Sequence, residues 1–211
     1  MNILHVIASP RAPEESISKQ MAFRFFGTLM EKNPDVNINN FDLYQNKPPF
    51  VSNDFLNGAW KAAADPSYEP TRNEETATNF ARNNVQALAA ADVLVISTPV
   101  WLNTMPAILA AWIDQILFPG VIFDISGGTV VPKHNLRSVV LLVSSEGIYK
   151  EDDPSDGLTP ALRAAFRYIG VDDIRIAWAD GQTPSCADQA DRLELAMDAA
   201  AEIAEDLLET P

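Results

Sequence analysis

The chain has 211 residues, one cysteine and a formal net charge of -14, with 47% hydrophobic and 21% charged residues, a balance that suits one globular domain, 1–211, with a full core. So much negative charge repels nucleic-acid phosphates and anionic lipid, so neither is expected as a partner. The lone thiol, Cys186, rules out an internal disulfide and a thiolate-built metal centre, and a reducing cytoplasm is the simplest compartment for it.

The first predicted element is the apolar run Ile3–Ala8. No basic segment precedes it, so it reads as a strand and not as a signal peptide. No stretch of the chain approaches the roughly 20 apolar residues of a membrane span. A helix follows over Ser16–Lys32, with Ile17, Met21, Phe25, Leu29 and Met30 near helical spacing. The alternating run 36–43 predicts a more exposed strand, and Asn73–Ala90 a polar, Ala-rich helix. Asp92–Ser97, Ser138–Ser144 and Ile174–Ala179 are rich in Val, Ile and Leu on both faces, as strands buried on both sides of a parallel sheet are. Between and after them, Pro106–Leu117, Leu158–Ile169 and Ala187–Leu208 predict helices; the first opens on Pro and the second ends at Gly170. Strands alternating with helices predict an α/β doubly wound parallel sheet of five strands, in the flavodoxin-like order 2-1-3-4-5, with helices on both faces. Two connections are long: Tyr44–Thr71, and Phe118–Asn135 with Gly120, Gly127, Gly128 and Pro132. Both are expected to wall a cleft or form an interface.

In such a sheet, ligands bind beyond the carboxyl ends of the strands, where the strand order reverses. The first loop there runs Ala8-Ser9-Pro10-Arg11-Ala12-Pro13-Glu14-Glu15-Ser16-Ile17-Ser18. It carries neither G-x-G-x-x-G nor a Walker A pattern, which removes the main support for dinucleotide and nucleoside-triphosphate sites. It does place hydroxyls of Ser9, Ser16 and Ser18 at a helix N-terminus, where free N–H groups and a partial positive charge favour a phosphate. Ser16 or Ser18 serves equally well as a plain helix cap. Glu14 and Glu15 oppose an anion there unless they point outward, and Arg11 offsets them.

The loop after the third strand, Pro99-Val100-Trp101-Leu102-Asn103-Thr104-Met105-Pro106-Ala107-Ile108-Leu109, has the pattern Pro-x-aromatic followed by Pro-x-x-Leu. Further on stand Gly120-Val121-Ile122-Phe123 and Ser144-Ser145-Glu146-Gly147-Ile148-Tyr149-Lys150. In this order, with Ser9 and Ser16-Ile17-Ser18, these segments resemble the FMN-dependent NADH-azoreductases and their NAD(P)H quinone-reductase relatives, over nearly the whole chain. The resemblance implies FMN as cofactor, NADH or NADPH as reductant, a quinone or azo compound as acceptor, and a homodimer. It implies that Ser9, Ser16, Ile17 and Ser18 surround the phosphate. Pro99, Val100, Trp101, Leu102 and Asn103 would line one side of the flavin ring, and Ser144, Ser145, Glu146 and Gly147 the other. Phe123 and Tyr149 would meet the substrate, Phe123 serving equally well as a core or dimer contact. No side chain is assigned as catalytic.

Two departures bear on the chemistry. The second and third residues of the family's Ser-Arg-Gly-Gly loop are Ser145 and Glu146 here, and Trp101-Leu102 replaces its Tyr-Asn. A carboxylate at Glu146 either lowers the flavin potential, by disfavouring negative charge on the reduced ring, or turns to solvent. The alternative function is a flavodoxin-type electron carrier, suggested by the acidic charge. His5 reads as a core histidine and His134 as a solvated one; two isolated histidines make no metal site.

Overall fold

In the computed structural model, which describes residues 1–209, five strands form one parallel sheet. They are β1 (Asn2–Ile7), β2 (Asn37–Asp42), β3 (Val93–Pro99), β6 (Ser138–Ser144) and β7 (Asp173–Ala179), in spatial order β2-β1-β3-β6-β7. Runs of β-branched residues specify the central strands, and alternate side chains enter different cores. Leu94 and Ile96 face a core with Leu4, Val6, Val139 and Leu141, while Val93 and Val95 face one with Ile3, Val140 and Leu142. β2 is one of the two edge strands, with mostly polar residues and partial exposure.

Helices α1 (Ile17–Lys32) and α7 (Gln189–Glu209) cover the second of these faces. Ala196, Ala200 and Ala204, four residues apart on α7, are buried there with Met21, Phe25 and Leu29 of α1. The other face carries α4 (Arg72–Ala90), α5 (Ala107–Ile116) and α6 (Thr159–Tyr168), through Val85, Leu88, Leu109, Trp112, Leu162 and Phe166. Thr71 and Glu74 form a reciprocal capping box at the start of α4.

Both long connections contain regular structure that the expected five strands and five helices omit. The first holds α2 (Asn53–Leu56), a π-helical turn (Asn57–Lys61) and α3 (Ala62–Ala64). Ser52 caps α2 by accepting from the Phe55 N–H at 3.1 Å. Gly58 lets this stretch lie on α4, since a Cβ there would stand 2.7 Å from the Glu74 carbonyl oxygen. The second connection folds into an antiparallel hairpin, β4 (Phe123–Ser126) and β5 (Thr129–Pro132), turning on Gly127 and Gly128 at φ 59° and 80°. The hairpin lies outside the parallel sheet, so in chain numbering the strand order reads 2-1-3-6-7 and not 2-1-3-4-5.

His5 lies in the sheet interior, 4% exposed, beside the Phe26 ring. Its Nδ1 stands 2.8 Å from Asn40 Oδ1 and its Nε2 2.8 Å from Ser97 Oγ. His134 is not the solvated residue the sequence suggests. Its Nε2 donates to the Ile169 carbonyl at 3.0 Å, and Nδ1 accepts the Leu136 N–H at 3.1 Å.

Candidate functional site

At the carboxyl edge of the sheet, the connections leaving β1 and β3 run to opposite faces, and a cleft of about 630 Å³ opens beside them. Its size falls in the range of small-molecule sites. At one end lie Ser9, Arg11, Glu15, Ser16 and Ile17. Ser16 is the N-cap of α1, yet its side chain makes no capping hydrogen bond. Its hydroxyl instead donates to Ser9 Oγ at 2.9 Å and lies 3.4 Å from Ser18 Oγ. Three nearly buried hydroxyls therefore cluster at a helix N-terminus whose first-turn N–H groups lack a side-chain cap. Such an end accepts an anion.

At the other end, Pro99, Val100, Trp101, Leu102 and Asn103 face Ser144, Ser145, Glu146, Gly147 and Tyr149, with Gln182 alongside. The Val100 N–H donates to the Ser144 carbonyl at 2.8 Å, locking the two loops at their bases. Trp101 and Thr104 exchange backbone hydrogen bonds around a tight turn, with Leu102 and Asn103 at its corners at φ 49° and 61°. Leu102 is 98% exposed, so no burial offsets the cost of left-handed backbone at a non-glycine residue. Gly157 supports the turn, its N–H donating to the Asn103 carbonyl at 2.8 Å.

Across the mouth, the Tyr149 hydroxyl donates to Asn103 Oδ1 at 2.7 Å. Partial burial, and then the carboxylates of Asp156 and Asp153, hold the Tyr149 pKa above its ordinary value, so the phenol keeps its proton. Gly147 makes room for this ring: a Cβ there would lie 3.2 Å from Tyr149 Cε2.

A sequence model of one family, described as having a flavodoxin-like fold, matches residues 1–204. The chain belongs to this flavodoxin-like family. Among its relatives is the FMN-dependent NADH:quinone oxidoreductase of Methylorubrum populi, 30% identical over 95% of this chain and 98% of the relative. FMN-dependent NADH:quinone oxidoreductase 1 of Bacillus subtilis is 27% identical over 90% and 91%. Among solved structures, an azoreductase from Bacillus anthracis superposes with a TM-score of 0.87 at 23% identity, covering 97% of this chain and 99% of that one. An FMN-dependent NADH-azoreductase from the same species, in complex with FMN, gives 0.83 at 24% identity, with 98% of each chain covered. At these identities the structural likeness concerns the fold.

Within this flavodoxin-like frame, the cleft gathers every residue expected at it except two. Ser18 touches it only through Ser16. Phe123 is fully buried in β4, edge-on to the rings of Trp60 at 6.2 Å and Tyr168 at 5.4 Å. It is a core residue here and does not reach the cleft. Nor does either long connection contribute a lining residue; they lie against other parts of the fold.

The layer beneath the fourth loop has no local signal in the sequence. Trp178 of β7 donates its Nε1–H to Ser145 Oγ at 2.8 Å and stacks on Tyr149, ring centroids 4.8 Å apart. Ser145 Oγ donates onward to the Gly147 carbonyl at 2.9 Å, so this hydroxyl is used within the loop. Asp180 accepts the Tyr149 N–H and pairs with Arg192 at 2.8 Å. The Gln182 N–H donates to the Ser145 carbonyl at 2.8 Å. Trp178→Phe keeps the stack but leaves Ser145 without its donor. It is expected to cost about 1 kcal/mol in urea unfolding. Cys186 donates to Asp188 at 3.0 Å, which with burial pushes the thiol pKa up, away from a reactive thiolate. Among the described residues, no group of His, Cys, Asp and Glu could hold a metal ion, and no helix is long and apolar enough to cross a membrane.

Proposed function

We propose that this protein is an FMN-dependent oxidoreductase that passes electrons from NADH to a quinone or azo acceptor. The single observation that carries the reading is the two-ended cleft at the topological switch point, with an anion-accepting helix end at one side and an apolar, loop-walled slot at the other. The names of the relatives support it over a non-enzymatic carrier, since they specify FMN, NADH and quinone.

The residues fit the cofactor. The hydroxyls of Ser9, Ser16 and Ser18, with the first-turn N–H groups of α1, would hold the phosphate. Pro99, Val100, Trp101, Leu102 and Asn103 would wall the ring on one side, and Ser144, Ser145, Glu146 and Gly147 on the other. When bound, FMN supplies reversible two-electron chemistry that no side chain of this cleft provides. The protein's part is to bind, orient and screen. Leu102 and Asn103, fixed at a strained turn, set one edge of the slot. Tyr149, hydrogen-bonded to Asn103 and stacked on Trp178, sets the opposite edge and keeps its proton. The open cleft beside this hydrogen-bonded bridge would admit reductant and acceptor in turn. A homodimer and a cytoplasmic location complete the proposal, the second resting on the single thiol.

The test is the purified holoprotein assayed for NADH consumption with a benzoquinone. Quinone-dependent oxidation of NADH, lost when the flavin is stripped and regained with FMN but not riboflavin, is expected. No quinone-dependent turnover with FMN bound would leave only the carrier function.

A further inference from the structure

The charges that line the cleft are unevenly distributed along it. Its one lining cation, Arg11, stands at the phosphate end, offset there by Glu15. Along the slot formed by Pro99–Asn103, Ser144–Gly147, Tyr149 and Gln182, the only charged lining side chain among the described residues is Glu146, which is exposed. Asp153 and Asp156 do not line the slot, but their charges help to raise the pKa of Tyr149 at its edge. Of the nearby cations, Lys150 acts on Asp153 and Arg192 is paired with Asp180 and Asp188; neither lines the slot. The same slot exposes apolar groups: Trp101 is 44% exposed and Leu102 98%.

A slot lined by apolar groups and one carboxylate, with no cation in its lining, discriminates by charge. We infer that this slot selects flat aromatic acceptors that are uncharged or cationic, and discriminates against anionic ones such as sulfonated quinones, with Glu146 as the specificity-determining residue. This inference rests on the oxidoreductase reading above and adds the charge class of its substrate. A like charge about 7 Å away, at an effective dielectric constant of about 40, changes association about sevenfold. The effect is screened by salt, because the Debye length falls from ~10 Å at 0.1 M to ~3 Å at 1 M.

The test compares a naphthoquinone sulfonate with the corresponding uncharged sulfonamide, so that ring and electron-withdrawing substituent are matched. Holoprotein reduced beforehand is mixed with each acceptor, which keeps the anionic dinucleotide out of the comparison. Binding of each to the oxidised holoprotein is followed in parallel by the change in flavin absorbance, a readout independent of turnover. At low salt the sulfonamide should be preferred about five- to tenfold in both rate and affinity, and 1 M salt should erase most of that preference. Glu146→Gln should bring the ratio close to one and Glu146→Lys should invert it. Glu194→Gln, which removes the same charge from an exposed position on α7, should leave the ratio unchanged. Equal treatment of both acceptors at low salt, or a ratio that Glu194→Gln moves as much as Glu146→Gln does, would overturn the selectivity and leave the function standing. Reduction of neither acceptor would overturn the function, and the selectivity with it.

Discussion

Ser16→Asp is expected to fold normally and to lose its flavin. Asp is as good an N-cap residue as Ser, and a carboxylate at a helix N-terminus adds about 0.5 kcal/mol of favourable dipole interaction. The position is 4% exposed, but hydroxyls of Ser9 and Ser18 surround it and can donate to the new carboxylate. Stability should therefore stay close to that of the parent. A phosphate at the same helix end would meet a like charge at about 4 Å, a repulsion of about 4 kcal/mol at an effective dielectric constant of about 20. Flavin affinity should fall at least about 100-fold, read as flavin per chain after dialysis and as a dissociation constant by fluorescence. Ser16→Ala removes one hydroxyl and adds no charge, so a loss of roughly tenfold is expected. Retained flavin in Ser16→Asp would place the phosphate elsewhere.

The second large effect is on stability against pH. His5 is buried among Phe26 and the sheet, and that burial lowers its pKa from 6.5 to about 4. The hydrogen bond to Asn40 and the charge of Asp42 work in the opposite direction and only partly offset it. With Asn40 presenting an oxygen, the ring proton sits on Nδ1, and Nε2 accepts from the Ser97 hydroxyl. The sign follows from proton binding. Below pH 6.5 the unfolded chain protonates this imidazole while the folded one does not, until about pH 4. Stability is therefore lost as pH falls through that window and levels off beneath it, by about 3 kcal/mol in total for this group. Carboxylates titrate in the same range, so the comparison is with His5→Gln. Urea midpoints between pH 7 and pH 4.5 should fall more steeply for the parent than for the variant. Equal slopes would mean that the folded imidazole takes its proton as readily as the unfolded one.

His5 also shows how the sheet supports the site. It joins β1 to Asn40 of β2 and Ser97 of β3, and the Ser97 carbonyl accepts the Ala8 N–H just before Ser9. Its core position was legible, because it sits inside an apolar run. So were the strands themselves, since four of them are largely apolar runs rich in Val, Ile and Leu, and the first loop, where serines flank a helix start. What escaped were features whose cause lies far away in the chain. Trp178 supports Ser145 and Tyr149 from another strand, and nothing around position 178 announces it. Phe123 carries a family-like motif, yet Trp60 and Tyr168 enclose it, and both arrive from remote segments. The β4–β5 hairpin had a local signal in Gly127-Gly128, but its four-residue strands are too short to stand out by alternation. Leu102 resisted reading for a different reason: Leu is a poor residue for positive φ, so the turn it occupies violates local preference at the cleft itself.

The central claim is a flavin held in this cleft and reduced there by NADH. Anaerobic titration of the yellow holoprotein with NADH measures it most directly. Loss of the flavin absorbance at one NADH per flavin is expected, with full return on adding one equivalent of quinone. A flavin that stays oxidised under excess NADH, in protein shown to carry FMN, would contradict it.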